Sequence, residues 1–255
     1  MGGLSKRQYY LKTPEDIEGI KKAGRIIYEI FEELEDFIKP GMKTAEIDKY
    51  VDNAIVKRGA YPAFKDVEGY KHATCISVNE EVVHGIPSYK KKIKVGDLVK
   101  VDMGTDLNGY IGDSCRTFAI GNVSKQAKRL MAVTQKALAL GIAEARIGNR
   151  LGDIGHAIQT YVEANGFSIV RDYVGHGVGL ELHEPPQVMH YGKANTGIKL
   201  VEGMVLAIEP MVNIGTWKVK TLKDGWTVVS KDGKYSAQYE HSVAITKDGP
   251  VITTI

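Results

Sequence analysis

Two aspartates in residues 98–118 are spaced so that they could hold a cation. The segment reads LVKVDMGTDLNGYIGDSCRTF, in which two alternating runs flank an Asn-Gly pair at 108–109. An Asn-Gly pair in that setting is the strongest short-range signal of a β-hairpin. The pairing that follows places Asp102 opposite Cys115, with Asp113 two residues along on the same face. Diagonal neighbours in a hairpin lie about 7–8 Å apart, so both carboxylates could bind one cation.

These two acids have an ordinary explanation as well as a functional one. A solvated hairpin with two surface aspartates fits the segment equally well. Acids on an otherwise apolar face are costly unless they are paired or bind a metal. The segment alone therefore leaves both explanations open, and the rest of the chain has to decide between them.

An internal repeat relates the two halves of the chain. A shift of 107 residues places Asp102 on Glu209, at the ends of the similar segments VGDLVKVD and EGMVLAIE. If the second half carries eight additional residues, His84 also aligns with His183. The same shift superposes loop glycines and apolar helix positions, namely Gly41 with Gly148, Ile47 with Ile154, Val51 with Ile158, Ile55 with Val162, Gly59 with Gly166 and Gly96 with Gly203.

The repeat predicts the fold class. Two helix-plus-strand halves, about 12–120 and 121–255, would be related by a pseudo-two-fold axis within a single domain, 1–255. Their strands would meet in a curved, mostly antiparallel sheet with the helices on its outer face, which is an α+β architecture. A further carboxylate in each half, Asp113 and Glu240, would then lie in the middle. Chance matches of apolar positions are common, but joint coincidence of glycines, carboxylates and histidines is much less so.

The helices of each half are marked by their ends. Thr13 and Pro14 offer an N-cap followed by proline at the first helical position, and an apolar helical period continues to about residue 38. A Lys-Pro-Gly run at 39–41 ends that helix. Three more helices are predicted at about 44–58, 124–146 and 151–165, and residues 168–255 are predicted to be mostly strands.

The candidate metal ligands are four carboxylates and one imidazole, which belong to Asp102, Asp113, His176, Glu209 and Glu240. Four converging carboxylates would repel one another and could not all stay ionised without cations. Two divalent cations would balance their charge. Oxygen-rich ligation with one imidazole is typical of Mn, Fe or Co sites and not of a closed zinc site made of thiolates. Two such ions can activate a water molecule and polarise a carbonyl group.

Several of these residues also fit a simpler interpretation. His176 lies in a GHGVG run, and glycine-rich runs are commonly turns. Glu240 alone would be taken for an ordinary surface residue, and His84 and His183 could be surface or core histidines. Glu209 ends an apolar strand, where a glutamate is unexpected, so a functional role is favoured at that position.

The composition is that of an ordinary globular protein of 255 residues, with 43% hydrophobic and 25% charged residues. A net charge of +3 is no nucleic-acid signature. Two cysteines cannot form a disulfide framework, which predicts a reducing compartment. No apolar run approaches membrane-spanning length, and the N-terminus has no signal segment. We therefore expect a cytoplasmic protein that binds neither DNA nor a membrane.

Taken together, these motifs resemble those of the bacterial type I methionine aminopeptidases, which are metallopeptidases with the pita-bread fold. The resemblance covers nearly the whole chain, from the KTPEDI start at 12–17 to the C-terminal strands. It implies removal of the initiator methionine from nascent proteins, with a small second residue preferred. The segments that carry it are CISVNEEVVHGIP (75–87), VKVDMGTDLNGYIGDSCRTF (99–118), RDYVGHGVGLELHEPPQV (171–188), LAIEPMV (206–212), KDGWTV (223–228) and AQYEHSVAIT (237–246).

The resemblance also implies a role for each site residue. His84 would contact the scissile amide nitrogen, and His183 would help to hold the carbonyl oxygen as the intermediate forms. Glu209 would act as general base in addition to binding metal. The free α-amine of the substrate would bind a metal, which restricts cleavage to N-terminal residues. The ligands of two divalent ions, whether Co, Mn, Fe or Zn, would be Asp102, Asp113, His176, Glu209 and Glu240, of which Asp113 and Glu240 would bridge the ions.

A small apolar pocket for the methionine side chain is implied at Tyr70, Cys75, Trp226 and Phe64, with Leu182 beside them. A cysteine sulfur and aromatic edges are favourable neighbours of a thioether, although each residue could also be plain core packing. We further expect a monomer that contacts the ribosome transiently.

Two other functions share parts of this pattern. A prolidase or proline aminopeptidase would have the same fold and ligands, but it usually carries an extra N-terminal domain. A pita-bread module that binds peptides without metals would have lost several ligands, whereas all five are present here. The pattern therefore favours the aminopeptidase.

Overall fold

The helices begin and end close to the predicted positions in the computed structural model, which describes residues 9–65 and 67–255. Thr13 caps the first helix: its hydroxyl accepts the N–H of Asp16, and the Asp16 carboxylate accepts the N–H of Thr13 at 2.8 Å. Such a capping box satisfies backbone donors that a helix start leaves free. The helical elements of the described residues are α1 Pro14–Phe37, α2 Thr44–Lys57, α3 Lys125–Glu144 and α4 Leu151–Ala164, with a short 3₁₀ turn at Val67–Gly69.

The strands form four small sheets, and every strand pair found among the described residues is antiparallel. The strands are β1 Tyr61–Pro62, β2 Thr74–Val78, β3 Glu81–Val83, β4 Leu98–Leu107, β5 Tyr110–Ala119, β6 Ser168–Ile169, β7 Gly175–Gly177, β8 Glu184–Val188, β9 Val205–Ile208, β10 Met211–Asn213, β11 Val219–Thr221, β12 Val228–Ser230, β13 Ser236–Gln238, β14 His241–Thr246 and β15 Gly249–Ile252. In the first half β4 pairs with β1, β2 and β5, and in the second half the order is β15-β14-β9-β7-β8. Two three-stranded sheets, β13-β10-β6 and β11-β12-β3, complete the set.

The β4–β5 hairpin has the predicted register. Residues 107 and 110 are paired across the loop, and the two loop residues Asn108 and Gly109 have φ of 57° and 85°. Positive φ at both positions is what a type I′ turn requires. Asp102 lies opposite Cys115, as predicted. Asp113 lies opposite residue 104, on the face that carries Asp102.

The internal repeat is visible in the backbone. Gly41 and Gly148, which the shift of 107 residues superposes, have φ of 97° and 98°. Gly59 and Gly166, each just after a helix, have φ of 76° and 74°. Two isolated β-bridges are related by the same shift: one joins Lys43 to Lys92, and its counterpart joins Arg150 to Lys199. The two halves therefore repeat the same helix ends and the same connections.

A hydrophobic cluster lies between the helices and the strands of each half. In the first half α1 and α2 bury Ile27 and Ile47 against β2 and β4. In the second half α3 and α4 bury Leu130 and Ile154 against β9 and β14. Each such side chain contributes about 1.5–3 kcal/mol by leaving water. None of the helices in residues 9–65 and 67–255 combines the length and the apolar character that a membrane span requires.

The two halves meet where β5 runs beside the start of β14. The backbone N–H of Glu240 donates to the carbonyl of Cys115 at 2.9 Å. The hydroxyl of Ser242 donates to the carbonyl of Asp113 at 2.8 Å. This seam brings Asp113 of one half next to Glu240 of the other. On this basis we propose that residues 1–255 form the single predicted domain, of which residues 1–8 and Asp66 lie outside the described residues.

Candidate active site

The four predicted carboxylates and His176 converge where the two halves meet. His176 Nε2 lies 3.6 Å from Asp113 Oδ2 and 3.6 Å from Glu209 Oε1. Asp113, His176 and Glu240 each offer a ligand atom within 4.8 Å of the others. Asp113 and Glu240 are only 3% and 2% exposed. Glu240 is thus no surface residue, and its burial supports the functional interpretation.

The carboxylates of this cluster ionise less readily than exposed ones, because burial and, at three of them, neighbouring carboxylates raise their pKa values. Burial raises the pKa of Asp102 to about 7. Burial, followed by the charges of neighbouring carboxylates, raises the pKa values of Asp113, Glu209 and Glu240 well above their usual range. A cation between them would reverse this effect, because an opposite charge favours the ionised form. The cluster is therefore an environment that divalent cations would stabilise.

The donor atoms fit metal ions. Within the described residues, Asp102 Oδ1, Asp113 Oδ1 and Glu240 Oε1 are buried without any hydrogen-bond partner. Buried carboxylate oxygens normally have one. His176 Nδ1 donates to the carbonyl of Gly177 at 2.9 Å, because a carbonyl can only accept. That bond leaves the Nε2 lone pair facing the carboxylates, which is the usual arrangement of a metal-binding histidine.

Glu209 is held by two residues that the sequence does not point out. Its backbone N–H donates to His190 Nε2 at 3.0 Å, and its Oε2 accepts from Gln238 Nε2 at 3.2 Å. Burial lowers the pKa of His190 to about 3, so the ring is neutral and can accept this bond. Gln238 Oε1 in turn accepts from the thiol of Cys115 at 3.4 Å. A polar glutamine in a buried strand is the only sequence signal for this role, and His190 gives none.

His84 and His183 both line the cavity that the four carboxylates and His176 face. His84 lies just after β3 with φ of 57°, and its ring meets Tyr173 edge-on at 5.4 Å between centroids. The ring of His183 meets that of His176 edge-on at 4.5 Å. Burial lowers the pKa of both residues, and at His84 the charge of His183 adds to the effect. Both rings are therefore neutral near pH 7, with one nitrogen able to donate and the other able to accept.

The cavity has a volume of about 450 Å³ and a mainly apolar lining. Tyr70 and Trp226 pack against each other with centroids 4.9 Å apart. Cys75 lies opposite Asp102 in the β2–β4 pair, and burial raises the pKa of its thiol, so the sulfur stays uncharged. Every predicted site residue lines this cavity, including Phe64 and Leu182. Tyr173 and Met211 also line it and were not predicted.

Comparison with known proteins agrees with this geometry. The sequence pattern of metallopeptidase family M24 matches residues 18–247. Methionine aminopeptidase 1 of Bacillus subtilis is 52% identical over 243 residues, which are 95% of this chain and 98% of that protein. The crystal structure of methionine aminopeptidase from Thermotoga maritima superposes with a TM-score of 0.95 at 46% identity, and the match covers 96% of this chain and 99% of that chain.

A prolidase is a more distant structural relative. The enzyme from Pyrococcus furiosus superposes with a TM-score of 0.78 at 26% identity, and the match covers 96% of this chain but 65% of that one. Together these matches confirm the predicted pita-bread fold. A fold of this kind, closed around buried carboxylates, defines a class of metallopeptidases. The chain belongs to metallopeptidase family M24 and, within it, to the methionine aminopeptidases.

Proposed function

We propose that this protein is a metal-dependent aminopeptidase that removes the initiator methionine from nascent polypeptides and prefers a small second residue. The observation that carries the proposal is the convergence of four carboxylates and His176 on one apolar cavity of about 450 Å³. Such a site combines a place for cations with a place for an uncharged side chain. The family membership and the relatives' names support the same activity.

The ligands would be Asp102, Asp113, His176, Glu209 and Glu240, and they would hold two divalent ions, whether Co, Mn, Fe or Zn. The charge of two such ions balances four carboxylates, and the partnerless buried oxygens support direct ligation. When bound, the ions activate a water molecule and polarise the substrate carbonyl. The remaining steps fall to the side chains around them.

Glu209 is proposed as the general base. Its carboxylate is oriented by Gln238, and its backbone is held by His190, so it can accept a proton from water in a fixed direction. His183, with a neutral ring, would donate to the carbonyl oxygen as charge develops there. His84 would contact the amide nitrogen of the bond that breaks.

Tyr70, Cys75, Trp226 and Phe64 are proposed to contact the methionine side chain. Their aromatic edges and the uncharged sulfur of Cys75 suit a thioether. A substrate with a large second residue would have to fit beside the same cavity walls, which explains the proposed preference for a small one.

We propose that the enzyme works in the cytoplasm as a monomer and contacts the ribosome transiently. The two cysteines, Cys75 and Cys115, are both free and buried, which suits a reducing compartment. Sedimentation of the purified protein, alone and with ribosomes, would measure both properties. A stable dimer, or no cosedimentation at low salt, would contradict them.

An assay on peptides that begin with Met-Ala, Met-Leu and Xaa-Pro, with and without Mn or Co, tests the proposal. We expect metal-dependent release of methionine from Met-Ala peptides, with much slower release from Met-Leu peptides. Preferential cleavage of Xaa-Pro peptides would instead indicate a prolidase. No hydrolysis with any metal would indicate a peptide-binding module.

A further inference from the structure

Lys12 and Glu184 form an ion pair that is almost completely buried, since each side chain is 1% exposed. Burial lowers the pKa of Lys12, and contact with Glu184 opposes that shift. Taking two charges out of water costs several kcal/mol per ion, so a buried pair is weak evidence of net stabilisation. The pair is therefore better explained by what it positions than by the free energy of folding.

The Glu184 carboxylate closes the loop that carries His183. Its Oε1 accepts the backbone N–H of Leu180 at 2.8 Å and that of Glu181 at 3.0 Å. Its Oε2 accepts from Lys12 Nζ. Glu184 itself begins β8 and pairs with Gly177, the residue after His176. One carboxylate thus ties both ends of residues 180–184 together.

Lys12 connects this loop to the start of α1. Its backbone N–H donates to the carbonyl of Gly203 at 2.8 Å, which holds residue 12 against the second half. Its side chain passes Gly179, where an added Cβ would lie 3.0 Å from Lys12 Cε. The Gly179 carbonyl accepts the N–H of Ile111 on β5 at 2.7 Å. The loop is therefore held by Lys12, which precedes α1, and by β5 and β8.

The ring of His183 depends on this frame for its place. Among residues 9–65 and 67–255 it makes an edge-on contact with His176, and no hydrogen bond holds it. Its direction is consequently set by the backbone of the loop.

We propose that the Lys12–Glu184 pair is a positioning pair that holds His183 toward the substrate carbonyl. The inference rests on the role of His183 in the proposed function and adds to it two residues outside the ligand set. It also gives a role to Lys12, the first residue of the KTPEDI motif. Helix capping explains Thr13 of that motif but not Lys12.

The pair is expected to affect turnover more than substrate binding. Tyr70, Cys75 and Trp226 of the proposed methionine pocket and the five proposed ligands all lie outside residues 180–184, so KM should change less than kcat when the loop loosens. A displacement of about 1 Å in a reacting group costs on the order of 100-fold in rate. Loss of the pair should therefore lower kcat by about 10-fold to 100-fold.

The test compares Lys12→Met in two backgrounds, the natural chain and the His183→Ala variant, with kcat and KM measured on a Met-Ala peptide at equal metal content. We expect kcat to fall by about 10-fold to 100-fold in the natural background and by less than about twofold when His183 is absent. Hydrogen exchange at 178–184 should speed up. Arg58→Met, which removes ion pairs to Glu29 and Glu33 on the outer face, is the matched control and should leave kcat and that exchange unchanged.

Equal losses of kcat in both backgrounds, or no loss in either, would overturn the positioning role. If His183→Ala alone keeps natural turnover, the proposed function of His183 fails and this inference fails with it. If His183→Ala is impaired while Lys12→Met is not, the positioning role alone fails. Should Lys12→Met not fold, the Lys12→Met/Glu184→Gln variant, which leaves no unpaired buried charge, takes its place in the same comparison.

Discussion

Two buried groups of charged side chains in this protein differ in how their charge is balanced. Glu184 meets the ammonium of Lys12, so that group is neutral within the chain. Asp102, Asp113 and Glu240 meet mainly other acids, and each has a buried oxygen without a partner in the described part of the chain. The first group is therefore balanced by its own ion pair, whereas the second lacks the counter-charge that the proposed metal ions would supply. Both groups border the same cavity.

The largest expected effect concerns Glu209. Glu209→Gln removes the proposed base but keeps its size, and we expect kcat on a Met-Ala peptide to fall about 10²-fold to 10⁴-fold. Circular dichroism and metal content should accompany the assay. Glu202→Gln, an exposed change in the same half, is the control and should be silent. A kcat of Glu209→Gln equal to that of the unchanged protein would contradict the proposed catalytic role of the cluster.

Breaking the self-balanced group should unfold the protein more easily. Lys12→Met leaves the Glu184 carboxylate buried and unpaired, which is expected to lower the free energy of unfolding by about 3–5 kcal/mol. Denaturant unfolding measures this change. Arg58→Met breaks a more exposed set of pairs, so it should cost less than about 1 kcal/mol. Equal losses for the two variants would mean that burial does not distinguish these ion pairs.

Metal removal tests the other group. Ions that bind the folded chain and not the unfolded one stabilise it, by about 2.7 kcal/mol when the free ion is at 100 times its Kd. We therefore expect chelation to lower Tm and added Mn or Co to restore it. An unchanged Tm after verified metal removal would show that the carboxylates are balanced in some other way.

Replacing a glutamate by glutamine, which removes a charge and keeps the size, should change Tm in opposite directions in the two groups. In the metal-free protein, Glu240→Gln removes one of several mutually repelling acids. We expect Tm to rise slightly, with a gain in the free energy of unfolding of less than about 1 kcal/mol. Glu184→Gln leaves Lys12 without its counter-ion and should lower Tm. Thermal scans of both variants after chelation make the comparison. If Tm changes in the same direction in both variants, the two groups do not differ in how their charge is balanced.

The smallest expected effect belongs to the uncharged wall of the cavity. Cys75→Ala removes a sulfur contact worth about 0.3–1.5 kcal/mol, so kcat/KM on a Met-Ala peptide should fall roughly twofold to tenfold. A peptide that begins with norleucine has no sulfur and serves as the matched substrate, on which the loss should be smaller. Equal losses on both substrates would place Cys75 outside the thioether contact.

Local signals made the first half of the site predictable. The Asn-Gly turn determines the register of β4 and β5, and that register alone places Asp102 and Asp113 on one face. The repeat then extends the prediction to Glu209 and Glu240, because equivalent strands of a duplicated unit end at equivalent places. Both steps depend on patterns only a few residues long or on their recurrence.

The supporting residues could not be predicted in the same way. His190 and Glu209 are 19 residues apart along the chain, without any periodic relation, and Lys12 and Glu184 are 172 apart. Their contacts arise only when loops pack against strands from other parts of the fold. Gln238 is an intermediate case, because its polarity within a buried strand was visible but its partner Glu209 was not.

The seam between β5 and β14 also has a consequence for the order of synthesis. Asp102 and Asp113 leave the ribosome in the first half of the chain, whereas Glu240 follows near the C-terminal end and joins the backbone at Cys115. A ribosome-bound fragment that has folded only its first half therefore carries Asp102 and Asp113 without the other residues of the proposed metal site. A chain that ends before Glu240 therefore lacks part of the proposed ligand set and has no assembled site with which to cleave its neighbours.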